Sequence, residues 1–294
     1  MSARIVNLKV RSAAASAMDD RPPASTTAVG PRSRRRGRSG DLVMRVALPV
    51  ITFGIVLLVW TELQAHVAPN LPTPAAVASR AVTVFSHPFR DAGPNDKGIG
   101  WQLLYSLGRV LAGFGLAVVV GVPVGILMGM SRIFNAAWQP LVQILRPVSP
   151  LAWLPIGLLV FKAVDPSAIF VIFITCIWPT VINTAAGVRA IPQDYLNVAR
   201  VLRLRPFEVA YRIILPAIRP YIITGMRLSL SIAWMVIVAA EMLTGGIGIG
   251  FYVWDEWNNL NVSSIIVAIV VIGIVGIVLE AIMIAIQRRF DYGH

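Results

Sequence analysis

The stretch FYVWDEWNNLNV, residues 251–262, sets adjacent carboxylates, Asp255 and Glu256, between Trp254 and Trp257, with Asn258, Asn259 and Asn261 close behind. Three chemistries suit those residue types. Two carboxylates can divide acid and base roles if they face each other across a substrate. Indole N–H and amide groups can donate hydrogen bonds to an anion. A polar, aromatic patch can also sit at a membrane surface or dock a soluble partner. Neighbours on one short loop do not face each other, and no further acid converges on the pair, so catalysis is the weakest of the three. An anion would be repelled by Asp255 and Glu256. Were the ligand an anion, Trp254, Trp257, Asn258 and Asn259 would be the candidate contacts, and the acids scaffold or docking surface.

Other catalytic sets are missing from the sequence. It contains no G-x-x-x-x-G-K-[ST] phosphate loop, no H-E-x-x-H and no Asp pair within the apolar runs. The single Cys176 lies in an apolar run, and His66, His87 and His294 all lie outside such runs. No catalytic residue, no metal and no cofactor of the chain's own is expected.

The elements that must position these residues are apolar. The chain of 294 residues is 56% hydrophobic with mean hydropathy +0.73. Only 14% of it is charged, against about 25% in a soluble domain. Six runs approach the roughly 20 residues that cross a bilayer, at residues 46–65, 103–130, 137–161, 167–187, 219–242 and 263–286. The expected fold is an all-α polytopic membrane protein of six transmembrane helices. Residues 73–89 carry apolar positions at helical spacing and predict a surface helix between the first two spans.

Net charge is +12, and residues 1–44 hold nine Arg or Lys against three Asp. This Pro/Ser/Ala/Arg-rich tail is expected to be disordered and cytoplasmic. Its Arg32–Arg38 cluster is expected to meet anionic lipid and not nucleic acid. Arg132, Arg189, Arg200, Arg203, Arg205, Arg212, Arg288 and Arg289 fall on the tail's side of the alternation, whereas the 243–262 loop has no Arg or Lys. Both termini and the 188–218 loop should thus be cytoplasmic, and the Trp-rich loop external.

Several span residues carry a choice of readings. Pro147, Pro150 and Pro155 break the third span, which makes it a candidate pathway lining. Arg146, just before the break, either snorkels to headgroups or attracts an anion in the pathway. Arg109 and Arg227 invite the same choice, with snorkelling the safer one. Glu241, at the end of span five, is expected in a structural ion pair, with substrate contact the alternative. Gly121, Gly125 and Gly129, four apart, predict close helix packing within one subunit in preference to a dimer seam.

The 188–218 loop predicts an amphipathic helix from about Gln193 to Leu204 and a second starting at Pro206. Its stretch NVARVLRLRPFEVAYRIILPAIRPYIITGMRL resembles the E-A-A…G…I-x-L-P loop of binding-protein-dependent ABC transporter permeases, which docks on the ATPase subunit. By position, Asn197, Val198 and Ala199 stand at E-A-A, Arg203 at the Gly, and Ile213, Leu215 and Pro216 at I-x-L-P. Asn197 replaces the acid, and Arg203 replaces a residue free to take positive φ. Asn197, Val198, Ala199, Arg200, Arg203, Leu215 and Pro216 are the implied coupling residues, and a bulky charge at Ala199 is expected to uncouple hydrolysis from uptake.

The resemblance extends over residues 45–290, the expected permease domain. LRPVSPLAWLPIGLLVFK (145–162) and GMRLSLSIAWMVIVAAEML (225–243, with Trp234) are similar to the nitrate/sulfonate/taurine group. AAEMLTGGIGIGFYVWDEWNNLNV is similar to its nitrate, nitrite and bicarbonate branch. The resemblance implies a type I importer fold in the bacterial inner membrane. It also implies partner ATPase subunits that bind ATP and Mg, a substrate-binding protein, and a second permease copy or paralogue. Arg146, Pro150, Trp234, Glu241, Trp254, Trp257, Asn258 and Asn259 are the expected pathway residues for a small anion, most simply nitrate or nitrite. A sulfonate, taurine or bicarbonate cargo, or a non-transporting membrane scaffold, are the alternatives.

Overall fold

The computed structural model describes residues 38–93 and 96–291. The expectations for the basic tail up to residue 37 lie outside them. Residues Met1–Val56 and Leu57–His294 separate as two units, and the helix packing and the grooves belong to the second. Among the described residues there are eleven α-helices and no strand. These are α1 (Arg38–His66), α2 (Pro74–Ser86), α3 (Ile99–Met130), α4 (Arg132–Leu145), α5 (Leu154–Phe161), α6 (Val164–Arg189), α7 (Gln193–Val201), α8 (Pro206–Val209), α9 (Leu215–Thr244), α10 (Ile249–Asn258) and α11 (Val262–Asp291). A 3-10 turn, Pro150–Trp153, precedes α5, and a π turn, Ala210–Ile214, leads into α9.

Five segments are long and apolar enough to cross a membrane: Val46–His66, Ile99–Met130, Val164–Arg189, Phe207–Thr244 and Val262–Arg289. The expected third span is different. Arg132–Leu145 and Pro150–Phe161 meet at 99°, so six spans result only if this bent pair counts as one. Three prolines within nine residues remove the backbone donors that would carry a straight helix through. Helix α1 also starts within the expected tail, at Arg38. The Trp-rich stretch is a further correction: it is not a loop but the helix α10. Gly245 and Gly246, at φ 75° and 94°, turn the chain out of α9 before it.

The packing centres on α3, α6 and α9. A side chain at Gly113, Gly121, Gly125 or Gly129 would collide with Ile172, Thr180, Thr184 or Val188 on α6, so this stripe serves packing within the subunit. At Gly125 an added Cβ would lie 2.6 Å from the Thr184 Cβ and 2.8 Å from the Val181 oxygen. Helices α6 and α9 are joined by small polar residues. Ser229 Oγ donates to the Cys176 oxygen at 2.8 Å, and Thr180 Oγ1 lies 2.9 Å from Ser229 Oγ. Helix α11 attaches to α9 through Trp234, whose Nε1 donates to the Ile272 oxygen at 2.9 Å, and through an Arg227–Glu280 pair at 2.5 Å. Arg227 is thus paired within the bundle, and snorkelling is not needed to satisfy it.

Between α7 and α8, Arg203 has φ 49°. This is the position where the family pattern has Gly, and the left-handed region costs an L-residue on the order of 1 kcal/mol. Arg203→Gly should therefore raise the thermal midpoint of the purified protein by a few degrees, about what 1 kcal/mol gives at this size. An unchanged or lowered midpoint would contradict a strained loop.

Candidate functional site

The expected pathway and coupling residues, Trp234 apart, fall in three separate regions. The first is a buried cluster where α9 ends. Glu241, 1% exposed, accepts from Arg109 Nη1 at 2.6 Å, from Ser106 Oγ at 2.7 Å and from the Gly250 N–H at 3.1 Å. Arg109, 7% exposed, also donates to Asp165 Oδ1 at 2.6 Å and to the Ile247 oxygen at 2.6 Å. The Gly248 N–H donates to Gln102 Oε1 at 2.5 Å, and the Ile249 N–H to Ser106 Oγ at 2.9 Å. Arg109 therefore does not snorkel; it ties α3 to the starts of α6 and α10 and the end of α9. Side chains at Gly248 or Gly250 would overlap Glu241 or the Val238 oxygen, which leaves Gly to close the cradle. A carboxylate so enclosed has no room to meet a passing solute.

Helix α10 is thus fixed at its first turn and presents its other end outward. Trp254, Asp255, Trp257, Asn258 and Asn259 are exposed, whereas Glu256 turns inward to Arg80 of α2 at 3.8 Å. Arg80 Nε in turn donates to Ser264 Oγ of α11 at 2.8 Å. Burial pushes the Tyr252 phenol up to about 12, so it stays protonated beside Ser264 and Glu256. The two acids of the Trp-Asp-Glu-Trp stretch consequently part company, one bound to its own fold and one free to solvent. Trp234 belongs to neither place, being buried between α9 and α11.

The second place is a groove of about 480 Å3 at the α4–α5 bend. Arg146, Ser149, Pro150 and Trp153 form one wall, and Thr175, Trp178 and Asn183 of α6 the other. Helix α4 runs antiparallel to the second half of α6. Arg189 Nη1 donates to Asn135 Oδ1 at 3.2 Å near one end, and Arg146 faces the middle of α6 at the other. Arg146 is exposed to this groove and makes no ion pair among the described residues. A lone guanidinium level with the middle of a membrane span requires water or an anion beside it.

The third place is the surface of the α7–α8 segment. Ala199 packs inward at 4% exposure, whereas Tyr195, Val198, Val201 and Leu202 are exposed. Phe207 and Tyr211, in the turns that follow, are exposed as well. Asn197 is exposed, Arg200 lies within α7, and Leu215 and Pro216 open α9. Exposed apolar side chains gathered on one short helical segment make it a candidate contact surface.

Ser106, Gln102 and Asp165 were not expected from the sequence. One signal could have found part of the cluster: Arg109 and Glu241 are opposite charges at the same end of two spans, and each needs a partner.

Comparison with known proteins identifies the family and the fold. Residues 121–292 match the family described as binding-protein-dependent transport system inner membrane component. The chain is 44% identical to the nitrate import permease protein NrtB of Synechocystis, over 87% of this chain and 93% of that protein. It is 45% identical to the bicarbonate transport system permease protein CmpB of Synechococcus elongatus, over 83% and 88%. The taurine transport system permease protein TauC of Escherichia coli is 32% identical over 89% and 95%. Among solved structures, the MetNI methionine ABC transporter matches 65% of this chain and 95% of its own, with TM-score 0.60 at 15% identity. At that identity the likeness concerns the fold.

Proposed function

The chain belongs to the binding-protein-dependent transport system inner membrane components, and from that premise we propose that it is the membrane subunit of an ATP-driven importer for nitrate. The observation that carries the anion reading is Arg146, without an ion pair among the described residues and level with the middle of α6, in a groove without an acidic lining residue. Nitrate and bicarbonate are both planar monoanions of three oxygens, and a guanidinium fork can donate two parallel hydrogen bonds to either. Bicarbonate is the second reading, because CmpB is as similar as NrtB. A taurine cargo would add an ammonium group, for which the groove offers no carboxylate.

In the proposed assembly, partner ATPase subunits bind ATP and Mg and dock on the α7–α8 surface, below a cytoplasmic 188–218 loop. A substrate-binding protein delivers the anion to the side that carries α10, where Trp254, Trp257, Asn258 and Asn259 face it. Two permease copies, or this chain and a paralogue, enclose the pathway, with Arg146 and Pro150 in its lining.

The test is uptake by the reconstituted assembly in vesicles. Arg146→Gln should slow nitrate uptake about tenfold, the worth of one charge-assisted hydrogen bond, while the subunits still copurify. Wild-type uptake in this variant would remove Arg146 from the pathway. Absence of nitrate-stimulated ATP hydrolysis in the wild-type assembly, with stimulation by bicarbonate, would favour the second reading.

A further inference from the structure

Helix α4 carries a polar face that the mid-span groove does not account for. Arg132, Asn135, Gln139, Gln143 and Arg146 recur at steps of three and four residues, which is one face of a helix. In so apolar a chain, turning that face toward lipid would be costly. It lines two further grooves instead. One, of about 480 Å3, runs between Asn135, Gln139 and Gln143 of α4, with Arg146 just after it, and Ile182, Ala185 and Arg189 of α6. The other, of about 390 Å3, is bounded by Arg132, Asn135, Arg189, Gln193 and Ile214.

These grooves are contiguous with the one already described. Arg146 and Pro147 belong to the mid-span groove and to the first of the pair, and Asn135 and Arg189 belong to both of the pair. None of the three is lined by Asp or Glu. Local hydrogen bonds also set which groups remain available. Arg189 Nη1 donates to Asn135 Oδ1 at 3.2 Å, and Asn135 Nδ2 donates to Gln139 Oε1 at 2.9 Å. Both amide oxygens are engaged, so Gln139 Nε2 and the other N–H groups of Arg132 and Arg189 are left as donors. A positively charged lane with donors in surplus suits an oxyanion.

We propose that Arg132 and Arg189 form a second oxyanion site at the α7 end of the bundle, approached along Gln139 and occupied after the anion leaves Arg146 and before its release. This deepens the reading of the chain as an anion permease and rests on it. Arg132 and Arg146 are one α4 length apart, about 20 Å at 1.5 Å per residue, so one small anion cannot touch both. Gln139 and Gln143 lie between them on the same face. Gln193 opens α7 and Ile214 closes the π turn after α8, so an anion held there borders the segment that meets the ATPase. A free anion and a lipid phosphate share the chemistry this site accepts, and the experiment separates them.

The assembly with its ATPase and binding protein is reconstituted in phosphatidylcholine vesicles, and initial nitrate uptake is measured against increasing nitrate loaded inside. Internal nitrate should slow the wild type by holding the release site filled. In Arg132→Gln/Arg189→Gln the internal concentration needed for the same slowing should rise about tenfold or more, from the loss of charge-assisted donors. Arg132→Lys/Arg189→Lys should restore most of the sensitivity, which guards against a folding artefact. Unchanged sensitivity in the Gln variant overturns the site. Vesicles that include phosphatidylglycerol should leave wild-type sensitivity in place; its disappearance there, with no effect on the Gln variant, assigns the site to lipid phosphate and overturns the free-anion proposal. Absence of nitrate uptake by the wild type overturns the nitrate reading on which the site rests, a different result from a normal wild type with an unaffected variant.

Discussion

Glu241→Ala should remove most of the folded protein. Its carboxylate accepts from Arg109, Ser106 and the Gly250 N–H, and at 1% exposure no water can replace it. Breaking a buried pair from one side costs about 3–5 kcal/mol, because the remaining charge stays enclosed. That is a large share of the roughly 5–15 kcal/mol by which a domain is stable. Asp165 retains its bond to Arg109, but its side chain is 61% exposed and compensates only in part. Glu241→Gln keeps the shape and one acceptor and should lose less. Glu241→Leu/Arg109→Leu removes both charges together and should be more stable than Glu241→Ala. Thermal unfolding and the monodisperse fraction in detergent give the order; a Glu241→Ala protein that unfolds with the wild type would mean the pair carries no stability.

That cluster also marks how far the sequence could be read. The apolar runs, the break at Pro147–Pro155 and the helices at Pro74–Ser86 and Gln193–Val201 follow from composition and periodicity, which are local properties. The need of Glu241 for a partner followed from its place in a span. Which partner it takes did not, because 132 residues separate Arg109 from Glu241 and only packing brings them together. Helix α10 was hidden by its context: GGIGIG before it and three asparagines behind it signal a loop, yet the cradle of Gln102, Ser106 and Glu241 supplies partners for the N–H groups of Gly248, Ile249 and Gly250. Arg146 illustrates the opposite case. Its position relative to the break was legible, while the lack of a carboxylate neighbour among the described residues required the fold.

Val201→Glu should abolish coupled uptake while leaving the permease folded. The sequence pointed to Ala199 as the residue to disturb, but Ala199 is 4% exposed and packs inward, so a bulky charge there would disrupt the segment itself. Val201 is 81% exposed and shares an outward apolar face with Val198 and Leu202. If that face docks on the ATPase, a carboxylate at Val201 becomes an unpaired charge in an apolar contact. A central contact of this kind is worth about 2–4 kcal/mol, so uptake should fall by about two orders of magnitude. ATP hydrolysis by the separate ATPase subunits should persist, and copurification with them should weaken. The thermal midpoint of the isolated permease should stay at the wild-type value for Val201→Glu and fall for Ala199→Glu. Wild-type uptake by Val201→Glu would exclude the outward face of α7 as the coupling surface, and a fall in its midpoint would mean that Val201 serves the fold of the segment instead.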